Sequence, residues 1–138
     1  MTKNLICETK QRIYFQDTDA GCVVYFGNLS KYIEIGFSEW FREYVGGLKS
    51  LNSRYNTFFV VKETKQKFHK SVHYDDRICI RTELKCIKYF SICFSTQVLV
   101  GNEKCYTAET TLTPINIETK TPVKIPQEIL NLKNEVVK

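Results

Sequence analysis

Asp17-Thr18-Asp19 places two carboxylates two residues apart, directly before Ala20-Gly21. In extended chain, residues i and i+2 project to one side, so both groups can face the same space. Position divides their roles. Short loops use aspartate to accept their own backbone amides, and that structural role is the expectation for Asp17. Asp19 stands closer to the helix that follows and is the candidate for chemistry. Around Phe26, Gly27 and Asn28 lie the amides of that helix's amino end, donors without intrahelical partners that carry the positive end of the dipole. A carboxylate facing such donors across a pocket is the minimum equipment for acyl transfer, with the amides as an oxyanion hole. By itself, a D-x-D before a helix is a weak motif.

Other reactive groups fit less well. The Cys22 thiol lies beside Asp19, but no histidine nearby could activate it. His69 and His73, the only histidines, are four apart in a strand-to-turn segment, a spacing that gives a shared face on a helix but not there. The six cysteines contain no C-x-x-C pair and no zinc-ligand spacing, so no metal site is expected and the thiols read as reduced. Glu34 reads as solvated or ion-paired. Lys62, Lys65, Lys67, Lys85 and Lys88 read as a solvated surface, with phosphate contacts as the alternative. A net charge of +5 spread over scattered lysines, without a basic arm, does not describe a nucleic-acid binder. The amino terminus lacks the apolar core of a signal peptide, and no run approaches the roughly 18 apolar residues of a membrane span. The expectation is a soluble, cytoplasmic protein.

One element must position these groups. Leu29, Tyr32, Ile33, Phe37, Trp40, Phe41, Tyr44 and Val45 follow the 3.6-residue period and predict an apolar-faced helix over 29–45, with Asn28 as N-cap and Gly46 or Gly47 ending it. Gly36 inside the stripe allows close approach to another backbone. Before the loop, 8–16 reads as a first strand. After the helix, 48–56 reads as an irregular connection. From Thr57 the period changes to two, giving strands over 57–68, 77–87, 90–100 and 104–116, the last three a meander. Ile78, Ile80, Thr82, Leu84 and Cys86 share one face, and Phe90, Ile92, Phe94, Thr96, Val98 and Val100 point inward. A short helix is expected after Pro126. With 43% hydrophobic residues and no internal repeat, residues 1–138 read as a single α+β domain, an antiparallel sheet curling over one long helix.

The runs YFQDTDAGCVVYFGN, HYDDRICIRT and INIETKTPVKIPQEI, with the helix between the first two, resemble the hotdog-fold acyl-CoA thioesterases of the 4-hydroxybenzoyl-CoA thioesterase and YbgC type, in order and over nearly the whole chain. The resemblance implies the hotdog fold with about five strands, Asp19 as the catalytic carboxylate, and the Phe26 backbone amide, with Gly27, polarising a thioester carbonyl. Asp17, Asn28, Cys22 and Tyr25 become supporting positions, and Tyr74-Asp75-Asp76 a turn before a strand. Leu29, where the family has an aromatic residue, would line the acyl pocket, and Lys88, Tyr89, Phe90 and Ser91 would approach the coenzyme. Coenzyme A is then part of the substrate rather than a cofactor. The substrate is an acyl-CoA or acyl-carrier protein, and the protein a homodimer or homotetramer whose site lies between subunits. One departure bears on the loop: Cys22 stands where the family has glycine, with Gly21 one place earlier.

The chemistry agrees. A thiol with a pKa of about 8.5 leaves easily as thiolate, so one carboxylate and good donors suffice, with Asp19 acting as general base or as nucleophile. A hotdog dehydratase or hydratase is the rival enzyme, although no histidine precedes His69. A non-catalytic acyl-binding module is the rival of another class.

Overall fold

A computed structural model of the chain describes residues 5–135. Strand β1 (Ile6–Arg12) leads through a 3-10 turn (Phe15–Asp17) to helix α1 (Phe26–Val45), then α2 (Leu48–Tyr55) and strands β2 (Thr57–Phe68), β3 (Arg77–Ile87), β4 (Ile92–Val100) and β5 (Glu103–Asn116). The short α3 (Gln127–Leu130) and a 3-10 turn (Asn131–Glu135) follow. The five strands form one antiparallel sheet in the order β1-β3-β4-β5-β2, which wraps α1. This is the hotdog architecture, and β3, β4 and β5 make the expected meander.

The sheet and α1 hold together because each covers the other's apolar face. Leu29, Tyr32, Ile33, Phe37, Trp40, Phe41 and Val45 are buried along α1, facing Ile78, Ile80, Phe94, Val98 and Leu112 of the sheet. Trp40, Phe41 and Phe94 are edge-packed, with ring centroids 4.9 to 5.6 Å apart. Each such ring removes roughly 150–250 Å² from water, worth about 4–6 kcal/mol at ~25 cal/mol per Å². The polar ends of the stripe are also satisfied: the Trp40 indole donates to the Leu5 carbonyl at 3.1 Å, and the Tyr44 hydroxyl donates to that of Ile6 at 2.7 Å. Gly36 is required where it stands, since a Cβ there would lie 2.3 Å from the Thr82 hydroxyl of β3. Gly46 ends α1 in the left-handed conformation, at φ 83°.

Several boundaries differ from the sequence reading. The helix begins at Phe26 with Tyr25 as its N-cap, so Asn28 is inside the first turn rather than capping it. The first strand ends at Arg12, because the chain turns at Phe15–Asp17 to bring Asp17 inward. The polar stretch after Gly47 is helical, pinned by the fully buried Leu51 and ended by Asn56 in the left-handed region. On β3 the register shifts between Leu84 and Cys86, which turns Cys86 to the outer face and Ile87 inward. Phe90 lies in the turn before β4 and is exposed. In the tail, Pro126 caps α3 as expected, and residues 136–138 lie outside the described residues.

Candidate active site

The loop between β1 and α1 is stitched to the segment before β3. The Ile13 amide donates to the Asp76 carbonyl and the Ile13 carbonyl accepts from the Asp75 amide, both at 2.9 Å, the Val24 amide donates to the Val72 carbonyl at 2.8 Å, and the Tyr74 amide to that of Cys22 at 2.9 Å. Phe15 stacks on Tyr74, centroids 4.2 Å apart. Asp76 accepts from the His73 amide at 2.8 Å, closing the turn in which Asp75 takes a positive φ of 71°. The D-x-D loop is therefore fixed from both sides.

Within it the two carboxylates do not face one space: one is buried and the other is exposed. Asp17 is buried, only 3% exposed. One oxygen accepts from the Tyr14 amide at 2.9 Å, the other pairs with the Lys31 ammonium of α1, and its backbone carbonyl accepts from the Asn28 side-chain amide at 3.0 Å. Asp17 and Asn28 thus clamp the loop to the first turns of α1. Asp19 is exposed. Its Oδ1 accepts from the Gly21 amide at 2.9 Å and the Val23 amide at 3.4 Å, which fixes the carboxylate's direction, while among the described residues Oδ2 has no partner. Cys22, exposed, occupies the left-handed region at φ 62°, the conformation that suits glycine. The loop makes its turn at that position despite the side chain, and Gly21 does not take over the role.

At the start of α1 the amides of Phe26 and Gly27 have no acceptor among the described residues, whereas that of Asn28 bonds back to Tyr25 at 2.9 Å. Of the three donors expected, two remain open. The Tyr25 ring folds over the helix start so closely that a Cβ on Gly27 would meet it at 2.5 Å and the ring would have to swing aside. Beside these amides opens a cavity of about 580 Å³ lined by Val24, Phe26 and Leu29 from the loop and α1, and by Phe68, His69, Lys70, Ser71 and Val72 from the end of β2 and beyond. Leu29 is in the wall. Asp19 is not, but it lies on the same loop, and its amide and carbonyl bond to Val23 and Cys22.

The wall from 68 to 72 was missing from the sequence reading. It reaches the helix through pairing at a distance of about fifty residues along the chain, and Val24 to Val72 is the bond that brings it there. His69 is committed to the Thr107 hydroxyl at 3.0 Å, and Lys70 to Glu103. Next to the site, the Tyr32 hydroxyl is buried and has no partner among the described residues, and burial, then the Asp17 charge, holds its proton well above the usual tyrosine range. Burial likewise pushes Tyr106, stacked on Phe68, up to about 12. Both tyrosines stay neutral.

Lys88, Tyr89, Phe90 and Ser91 form the β3–β4 turn, closed by a 2.8 Å bond from the Lys88 amide to the Ser91 carbonyl. Strand β4 leaves this turn past Phe94, which packs on Trp40 in the carboxyl half of α1, so one chain does not bring the turn to the cavity. The Tyr89 ring is 5.0 Å from the Lys124 ammonium. Glu34 is exposed, and among the described residues no cluster of side chains could hold a metal ion. No helix among them is long and apolar enough to cross a membrane.

Comparison with known proteins points to one family. The acyl-CoA thioesterase YbgC of Haemophilus influenzae is 25% identical over 118 residues, covering 86% of this chain and 87% of that protein. The YbgC acyl-CoA thioesterase of Helicobacter pylori is 28% identical over 134 residues, covering 91% and 98%. Among solved structures, a probable thioesterase from Bartonella henselae superposes with a TM-score of 0.82 at 26% identity, over 88% of this chain and 99% of the other. The family model of the thioesterase-like superfamily matches residues 13–132, from the loop's first stitched residue through the tail, and the chain belongs to that superfamily.

Proposed function

We propose that this protein hydrolyses acyl-CoA thioesters, and that the loop between β1 and α1 carries the reaction. The observation that supports it most directly is the pair of open amides at Phe26 and Gly27 beside a cavity, with the aimed carboxylate of Asp19 on the loop leading into them. The thioester carbonyl accepts from the Phe26 and Gly27 amides, which are worth most where charge develops on that oxygen. The free oxygen of Asp19 either takes a proton from attacking water or attacks the carbonyl itself, forming an anhydride that water then opens. Coenzyme A leaves as thiolate, and little proton donation is needed. Asp17 and Asn28 hold the loop against α1. The acyl chain enters along Leu29, Phe26 and Phe68. Relatives that act on acyl-CoA support this choice of substrate, and a carrier-protein thioester presents the same reacting group.

The same reading includes assembly. The cavity is open, Phe26 is 72% and Phe68 52% exposed, and β2 is a free sheet edge beside them. A second copy on that edge would cover this apolar surface and bring the partner's coenzyme-contacting turn into range.

The test follows loss of thioester absorbance with aliphatic and aromatic acyl-CoAs and an acyl-carrier protein, for the natural protein and Asp19→Asn. We expect turnover, and a fall in kcat/KM of about 10²–10⁴-fold in the variant with its melting temperature kept. Full activity in Asp19→Asn removes the residue from the mechanism, and no hydrolysis of any thioester removes the function. Water addition to an enoyl-CoA without thioester cleavage would instead favour hydratase chemistry and direct attention to His69 on the cavity wall.

A further inference from the structure

The shift of register between Leu84 and Cys86 has placed two thiols opposite one another. Cys86 and Cys93 are direct partners across the antiparallel β3–β4 pair. Both are half-buried. Their neighbours Leu84, Ile87, Ile92 and Phe94 are buried against α1, so Cys86 and Cys93 share the outer face. Residues directly opposed in an antiparallel sheet have Cα atoms roughly 4.5–5.5 Å apart. That interval falls inside the roughly 4.4–6.8 Å that a disulfide spans. No other pair of cysteines is in this relation among the described strands: Cys7 faces Thr82, Cys79 faces Lys10 and Leu99, and Cys105 is buried.

We infer that Cys86 and Cys93 form a reversible cross-strand disulfide when the protein meets a low-molecular-weight disulfide such as oxidised glutathione. The Cys93 thiolate attacks one sulfur of the oxidant and expels a first glutathione thiolate, leaving a mixed disulfide on Cys93. The Cys86 thiol then gives up its proton, its sulfur attacks the Cys93 sulfur, and the second glutathione departs. Two protein thiols are oxidised and one oxidant disulfide is reduced to two thiols, so atoms and electrons balance. The order follows from the surroundings: burial, then the neighbouring Cys93 sulfur, pushes Cys86 up to about 11, which makes it the slower first nucleophile. Cys93 also has the Thr111 hydroxyl at 3.5 Å from its sulfur. The new bond closes a short loop around the Lys88–Ser91 turn and ties its base.

The experiment treats the intact, reduced protein with oxidised glutathione, blocks remaining thiols by alkylation and digests with trypsin without reduction. We expect the Cys86–Lys88 peptide joined to the Tyr89–Lys104 peptide, lost on adding dithiothreitol. In Cys86→Ser, a persistent glutathione adduct on Cys93 should replace the joined pair. A dithiol reagent, phenylarsine oxide, should bind the untreated natural protein at these two sulfurs and protect both from alkylation. Alkylation of both cysteines after oxidation, a bond to a different cysteine, or phenylarsine oxide leaving both sulfurs unprotected overturns the inference.

Discussion

The two ends of α1 are built on opposite terms. The carboxyl half carries Trp40, Phe41 and Val45 into a closed aromatic core, where even the indole nitrogen has its acceptor. The amino end carries Phe26 and Tyr25 at 72% and 49% exposure, two amides without acceptors and an open cavity. One end commits its side chains to packing and the other leaves them exposed beside the cavity. What holds the open end is polar: the Asp17 clamp to Tyr14, Lys31 and Asn28, and the stitching of the loop to residues 72–76.

Three substitutions would sharpen or break that contrast. The largest effect is expected from Trp40→Ala, which empties core volume and removes one of the two donors to the Leu5 carbonyl, leaving the Leu84 amide; a loss of about 3–5 kcal/mol should appear in urea unfolding. A loss under about 1 kcal/mol would mean that the closed end is not the anchor. Next, Asp17→Ala leaves the Tyr14 amide and the Lys31 ammonium without their partner, at a cost of about 1.5–3 kcal/mol, reduced to the extent that Lys31 reaches water. Thioesterase activity should fall with it, since the loop is no longer held; unchanged kcat/KM would show the loop to be positioned by residues 72–76 alone. The smallest effect belongs to Cys22→Gly. Relief of a left-handed non-glycine residue gains roughly 1–2 kcal/mol, and greater freedom of the unfolded chain returns about 0.4–1. Thermal melting should therefore rise slightly, by less than about 1.5 kcal/mol in stability, and a fall would show that the side chain contributes contacts of its own.

What could be read from the sequence divides along the same line. The α1 stripe and the bounds of β2 and β3 were legible, because period and turn residues are local and both sides of the core obey them. The helix start was misplaced by three residues, since Phe26 and Gly27 lie on an open turn where no burial pattern marks the beginning. Helix α2 was hidden because a polar eight-residue segment needs only Leu51 buried to settle on the core. The Cys86 position failed for a different reason: strict alternation cannot register a bulge. Asp17's structural role followed from its place in the loop, but its Lys31 partner did not, and the cavity wall from Phe68 to Val72 could be found only by folding the chain.

The sheet order also imposes a kinetic cost. The meander β3-β4-β5 is joined by two tight turns and can close through contacts near in sequence, whereas β1 and β2 are the outermost strands and must find partners across long stretches of chain. Closing those loops spends entropy before any burial returns it, so the edges are the slow steps of folding. The wall of the cavity at the end of β2 belongs to one of them. The cavity beside α1 is thus completed late, when a strand from the middle of the chain docks beside β5.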